Sequence, residues 1–272
     1  MKSCKLPNGE TCYYIDKISA LESYNEIFNE REYEKFGIKV KDGDVIFDVG
    51  ANVGIFSRFI ATKAKNLKIY TFEPVPDVFE IQKKNLEFIT STREVHQYNI
   101  GLGDIEKVIE INYYPRATTL SAIVPIDFDL ELKNSVENWD QTVAITSPIA
   151  RFIPKFLRKT VVKLGHKYVF KGVKIPIKVR PLSDIIKETN VNSIDFLKMD
   201  AENYEWQILR GITESDWKLI KQIAMEVHTN IVGGENLLEK ITSLLKSKGF
   251  NVITDKEGKF SATGVYMLYA KK

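Results

Sequence analysis

The run from Asp44 to Gly54, read together with Glu73, constrains the fold of this chain more than any other feature. Val45-Ile46-Phe47 is apolar and of β character, and it leads directly into Asp48-Val49-Gly50-Ala51-Asn52-Val53-Gly54. Beyond it Ile55, Phe56, Phe59, Ile60 and Ala64 recur at helical spacing, which predicts a strand, a glycine loop and a helix. Glycine suits such a loop because the backbone turns tightly and lets a ligand approach where a Cβ would collide. The helix start offers unpaired N–H groups to the same ligand. Lys68-Ile69-Tyr70-Thr71-Phe72 predicts a second strand ending on Glu73-Pro74. Glu73 follows the loop by roughly 20 residues, the separation at which a βαβ unit presents an acid to ribose hydroxyls. The expected ligand is a nucleoside.

The loop narrows the choice. Dinucleotide sites carry G-x-G-x-x-G, whose glycines admit a pyrophosphate. This loop reads D-x-G-x-x-x-G, and Asp48 at its start would repel a phosphate. S-adenosyl-L-methionine has no phosphate and carries an ammonium and a sulfonium, so a carboxylate beside the loop suits it. Asp48, Gly50, Asn52, Gly54 and Glu73 are therefore candidate donor-binding residues. A bare structural βαβ turn would leave Asp48, Asn52 and Glu73 without a shared reason.

Composition sets broader limits. With 272 residues, 44% of them hydrophobic, the chain can bury a full core, and it has no run of the ~20 apolar residues that a membrane span requires. The first residues lack the apolar stretch of a secretory signal, so a cytoplasmic protein is expected. Cys4 and Cys12 are too few for a disulfide framework. A net charge of +3 does not select a nucleic-acid partner.

Residues 1–43 read as an N-terminal helical segment. Ser19-Ala20-Leu21-Glu22 has the form of a capping box, and Leu21, Tyr24, Ile27 and Phe28 give one apolar face. That helix either covers the donor pocket as a lid or packs on the sheet. After Glu73, a helix from Pro76, strands at Val95–Ile100 and Val108–Tyr114, and Asp104 after Gly101-Leu102-Gly103 continue the alternation. Asp104 either accepts the adenine amino proton or is a turn aspartate bonding its own backbone. The parallel pattern resumes at Ile175–Val179 and at Ile194–Met199, which places Asp200 at a strand's carboxyl end, where doubly wound sheets bind ligands. Gln222–Val227 is a further strand, with Glu226 and His228 two residues apart and so on one side. A helix over about Asn236–Lys248 and strands at Asn251–Ile253 and Gly264–Ala270 complete the 44–272 domain.

Residues 115–174 break the alternation and are too long for an ordinary connection, which predicts an inserted cap. No Asp or Glu stands between Asp140 and Asp184, a stretch that holds Arg151, Lys155, Arg158, Lys159, Lys163, Lys167, Lys171, Lys174, Lys178 and Arg180. Ile149, Phe152, Ile153, Phe156, Thr160 and Leu164 follow helical spacing, so a basic amphipathic helix is expected. It suits an acidic carrier protein, an anionic membrane surface, or solvent alone.

DVGANVG, TFEPVPDVFEIQKKN, IDFLKMDAENYEWQILRGI and AMEVH, in that order, resemble the FkbM family of S-adenosylmethionine-dependent methyltransferases over roughly Asp44 to Ala270. The resemblance implies a Rossmann-like class I α/β fold with a seven-stranded, mostly parallel sheet whose last strand is antiparallel. It also implies methyl transfer to oxygen, with S-adenosyl-L-homocysteine as the second product. Tyr113-Tyr114-Pro115 and GITESDWKLIKQIAMEVH are most similar to the branch acting in polyketide and mixed peptide–polyketide pathways. Many members carry D-x-E-G-x-E where this chain has Asp200-Ala201-Glu202-Asn203-Tyr204-Glu205, so the motif's glycine is replaced.

Methyl transfer from a sulfonium is an in-line displacement, and an aliphatic hydroxyl attacks well only as its proton is removed. Of the three histidines, His96 falls in a predicted strand and His166 in the insert, while His228 stands at a strand end beside Asp200 and Glu226. His228 is the expected general base, oriented by Glu226 or Asp200. Two carboxylates and one imidazole are few for Mg²⁺, and no metal is expected. The sequence thus predicts an O-methyltransferase acting on a hydroxyl of a small or carrier-bound polyketide or peptide–polyketide molecule. A sugar O-methyltransferase of surface glycans and a non-catalytic nucleoside-binding protein are the alternatives.

Overall fold

The computed structural model describes the chain apart from residues 92, 125–126, 141–142, 144–147, 232–233, 259–260 and 262–263. Its centre is a seven-stranded sheet built from β3 (Val45–Val49), β4 (Lys68–Phe72), β5 (Glu94–Tyr98), β9 (Phe196–Met199), β10 (Gln222–His228), β11 (Asn251–Asp255) and β12 (Val265–Lys271). The spatial order is β11-β12-β10-β9-β3-β4-β5. All pairings from β10 to β5 are parallel, and β12 runs antiparallel between β10 and β11, as expected of a Rossmann-like class I methyltransferase sheet. The order reverses between β3 and β9, so their carboxyl ends flank the crevice where such sheets bind ligands.

β3 is almost wholly buried because a parallel sheet is covered on both faces. Strand alternation sends Ile46 to one face and Phe47 and Val49 to the other. The first face is packed by α1 (Lys17–Tyr24), α2 (Ile55–Ala61) and α3 (Pro76–Thr90) through Tyr24, Phe56, Phe59 and Leu86. Opposite it lie α6 (Leu182–Thr189), α7 (Glu205–Arg210) and α8 (Leu237–Ser247) through Ile185, Ile208, Leu209 and Leu245.

Three expectations change. The cap of α1 is Asp16, whose carboxylate accepts from the N–H groups of Ile18 and Ser19, so Ser19 lies inside the helix. The N-terminal segment is also more than a helix: β1 (Lys2–Lys5) and β2 (Thr11–Tyr14) form a hairpin, and Leu6, Cys12, Ile27 and Tyr33 enter the core of the first face. Thirdly, β7 (Lys107–Tyr113) and β8 (Val173–Pro181) do not extend the main sheet. With β6 (Gly101–Gly103) they make a separate three-stranded sheet in the order β6-β8-β7, with β8 antiparallel to β7. A β-prone run identifies a strand but not its partner.

Between β7 and β8 the chain forms α4 (Phe128–Glu137) and α5 (Lys155–Val169), which pack around Trp139, Ala150 and Val162. Ile149 and Phe152 precede this helix, in a 3₁₀ turn over Pro148–Phe152. No helix among the described residues is long and apolar enough to cross a membrane.

Gly50 marks the tightest approach in the sheet. It has φ +69°, and a Cβ there would lie 1.7 Å from the Asp200 carbonyl oxygen. Its glycine is required by the neighbouring strand end, whatever the ligand. Gly50→Ala is expected to destabilise the chain by well over the ~1 kcal/mol of left-handed strain alone, as read by chemical denaturation; a loss no larger than that would mean the β9 end shifts freely.

Candidate active site

A cleft of about 890 Å³, counting the solvent at its mouth, opens at the carboxyl ends of β3, β4 and β9. Val49 to Val53 form its floor, Glu73 to Val75 one wall, and Lys198, Asp200, Ala201 and Glu202 the other. Ser23 of α1 reaches it, and so do Thr118, Thr119 and Ser121 from the segment after β7. Of the donor-binding candidates, Gly50, Asn52, Glu73 and Asp200 meet here.

Glu73 is buried and held by the turn itself. Its two carboxylate oxygens accept from the backbone N–H groups of Asn52 at 3.0 Å and Val75 at 2.9 Å. Burial pushes its carboxyl up to about 7, and those two bonds act against the shift. Asn52, at φ +46°, takes the left-handed conformation that asparagine tolerates better than most residues. A nucleoside fits this cradle: a fixed carboxylate on one wall, a tight turn below, and on the other wall Asp200 Oδ1, buried without a hydrogen-bond partner among the described residues.

Three candidates lie elsewhere. Asp48 shares the face of Ile46, so its side chain turns beneath the loop. It is fully buried, accepts from Ser57 Oγ at 2.6 Å and lies 3.5 Å from Lys198 Nζ. Gly54 lies outside the cleft lining, and a Cβ there would press on Leu86 at 3.0 Å, so it lets α2 pack on α3. Asp104 also stands off the cleft, paired with Lys107 at 3.1 Å and Arg210 at 3.8 Å.

Lys198 was not singled out from the sequence, and the polar face is built around it. Its ammonium, buried in β9 directly beside Asp48, donates to the carbonyls of Gly50 at 2.9 Å and Val49 at 3.2 Å. Asp200 lies 3.7 Å away. Burial opposes its charge, but Asp200, Asp48 and Glu226 outweigh burial and raise its pKa.

Glu226 and His228 continue the same face of β10. Tyr33 Oη donates to Glu226 at 2.6 Å, and burial followed by the Asp200 charge lifts the Glu226 carboxyl to about 7. His228 Nδ1 donates to Glu205 at 2.9 Å, while Nε2 lies 3.5 Å from Glu202 and 3.8 Å from Glu226. Burial works against an imidazolium here, yet Glu205, Glu202 and Glu226 together raise His228 well above the ordinary imidazole value. Burial and the surrounding acids likewise hold Glu202 far above the usual carboxylate range. The residue that orients His228 is Glu205, fully buried at the start of α7, in place of the expected Glu226 or Asp200. Neither His228 nor Glu226 lines the cleft; Asp200 and Glu202 stand between them and it. Asp200, Glu226 and His228 present ligand atoms within 4.8 Å of one another, a spacing that a divalent cation can bridge.

Asn203 stands where the family motif has glycine, and its φ is +75°. The backbone keeps the conformation that glycine would take, and Asn203 Nδ2 adds a bond to the Val124 carbonyl at 2.8 Å.

The sheet order, the glycine turn and the carboxylate-held cleft define a class I S-adenosylmethionine-dependent methyltransferase. The chain belongs to the FkbM methyltransferase family: the model of the methyltransferase FkbM domain matches residues 48–252. It is 28% identical over 272 residues to the 31-O-demethyl-FK506 methyltransferase FkbM of Streptomyces tacrolimicus, covering 100% of this chain and 97% of that one. It is 27% identical to the methyltransferase sdnD of Sordaria araneosa, over 90% of this chain and 87% of the relative. The hexuronic acid methyltransferase AglP of Haloferax volcanii is 20% identical, over 78% and 71% of the two chains.

Removing the Lys198 ammonium would leave Asp48 a buried charge without compensation. Lys198→Met is therefore expected to cost about 3–5 kcal/mol in denaturant unfolding. Adding Asp48→Asn should recover much of that loss; simple additivity of the two changes would show that the pair does not interact.

Proposed function

We propose that the protein is an O-methyltransferase that methylates a hydroxyl of a polyketide or mixed peptide–polyketide molecule. The observation that carries this reading is the chain of proton-holding groups beside the donor cleft: Glu202 at its surface, His228 next to it, and Glu205 fixing the imidazole. An aliphatic hydroxyl is a poor nucleophile unless its proton is removed as the new C–O bond forms. The natural-product methyltransferase among the relatives, named for 31-O-demethyl-FK506, supports the acceptor class.

S-adenosylmethionine, when bound, supplies an electrophilic methyl carbon on a sulfonium. Glu73 would accept from the ribose hydroxyls with the lone pairs left free by Asn52 and Val75. Asp200 Oδ1, buried and without a hydrogen-bond partner among the described residues, would hold the donor's ammonium, and the cleft walls would align the acceptor oxygen with the methyl carbon. Glu202 would pass the hydroxyl proton on to His228 Nε2, which keeps it as an imidazolium held by Glu205, and Tyr33 with Glu226 steadies that charge. A sugar acceptor is the second reading, favoured by the AglP relative and by the hydroxyl side chains of Thr118, Thr119 and Ser121 in the cleft. Incubating labelled donor with free polyketides, carrier-bound polyketides and hexuronic acids, followed by mass spectrometry, separates the acceptors.

Glu73 must be ionised to accept two hydroxyl bonds well, and burial pushes its carboxyl up to about 7. Donor affinity measured by calorimetry should therefore tighten as pH rises through about 7, with protons released on binding. Glu73→Gln is expected to bind more weakly and lose that pH dependence; an unchanged affinity would remove Glu73 from the donor site.

His228 accepts a proton only after losing its own, so turnover should rise with pH to a plateau beyond the ordinary imidazole value of 6.5. His228→Ala is expected to keep donor affinity, lower turnover by roughly 10²–10⁴ and flatten the rise. Full turnover in that variant would make His228 structural.

A further inference from the structure

The outer face of α5 carries two adjacent rows that neither the fold nor the cleft uses. Lys155, Lys159, Lys163 and Lys167 repeat every four residues, and Phe156, Thr160, Leu164 and Tyr168 repeat one position later. Residues four apart stack along one helix face, so a lysine row runs beside an apolar row. The packing face of α5 is a different one: Val162 is buried with Trp139 and Ala150, and Val161 and Ile153 close around them. The apolar row is largely exposed, with Phe156 80% exposed, Leu164 63% and Tyr168 62%, the last with the Arg116 guanidinium over its ring, and the preceding 3₁₀ turn adds Phe152 at 86% and Ile149 at 79%.

The charge is also unspent. Lys174, Lys178 and Arg180 of β8 pair with Glu110, Glu106 and Glu188, but Lys155, Lys159, Lys163 and Lys167 make no ion pair among the described residues. Arg151 stands between Ile149 and Phe152 in the turn.

We propose that this face seats on an anionic lipid surface, with α5 lying along the interface, Ile149, Phe152 and Phe156 entering the acyl boundary and the lysine row meeting the headgroups. Insertion of apolar side chains below cationic ones is how interfacial helices bind, with lysine stems extending to the headgroups. A second copy of the chain would bring its own lysine row against this one, and like charges across an interface oppose association. The inference is independent of the acceptor and of the His228 assignment.

Co-sedimentation with phosphatidylcholine vesicles, with and without phosphatidylglycerol, tests it. The protein is expected to partition onto the anionic vesicles, to stay in solution with the neutral ones, and to release as salt screens the lysines. Lys159→Gln with Lys163→Gln should weaken partitioning roughly 30-fold, since each lysine near an anionic surface contributes about fivefold. Phe152→Ser and Phe156→Ser should each weaken it by about tenfold or more. Fluorescence of a Phe156→Trp variant, quenched by brominated lipid in anionic vesicles only, gives a direct reading of insertion. Failure to partition, or partitioning that both sets of substitutions leave unchanged, overturns the proposal. So does saturable binding to an acidic acyl carrier protein without vesicle binding, or a dimer that the Phe152 and Phe156 changes dissociate.

Discussion

One buried ammonium organises the catalytic end of this sheet. Lys198 has almost no solvent contact, and its charge is held by Asp48, Asp200 and the carbonyls of Val49 and Gly50. An unpaired charge in this position would be costly enough to unfold a marginal domain, so the loop and the strand end are bound to one geometry. The glycine turn owes its shape to this contact and to the Asp200 backbone pressing on Gly50. Donor-facing groups are thereby set before any donor arrives, which is the condition for efficient in-line transfer.

Local features were legible in the sequence, and pairings across the fold were not. Asp44–Gly54 and Glu73 announced a βαβ crevice because strand, turn and helix signals are all short-range. Motif position sets Asp48 at the mouth of the loop, whereas its strand phase turns the side chain beneath it. Ile46 and Asp48 share a face, and Lys198 shares that phase in β9, so a buried Asp–Lys pair was open to inference from alternation alone. Glu205 was within reach too, as the last acid of the family motif, yet its role depends on α7 lying over the end of β10. Tyr33 was beyond reach, since nothing near it in sequence points to Glu226. The separate sheet of β6, β7 and β8 was missed for the same reason: strand propensity carries no information about partners.

The cluster of Asp200, Glu202, Glu205, Glu226 and His228 concentrates carboxylates with few cations around them. Burial raises Glu202 and Glu226 above their ordinary values and opposes the His228 imidazolium, which the neighbouring acids raise nonetheless, so these three hold protons more tightly than they would in water. Asn203 preserves the backbone turn on which the cluster depends and ties it to Val124, ahead of α4.

The hydrogen bond from Tyr269 in β12 to the Glu32 carbonyl has a consequence for how the molecule comes to be active. It draws a strand formed late in the sequence onto the turn that presents Tyr33 to Glu226. Strand β12 also fills the gap between β10 and β11, so the sheet edge beyond β10 stays open until that strand is made. Contacts of such long sequence separation close slowly. A nascent chain can therefore complete its glycine turn early while Tyr33 and Glu226 are still apart, and that pairing matures only when its two distant segments meet.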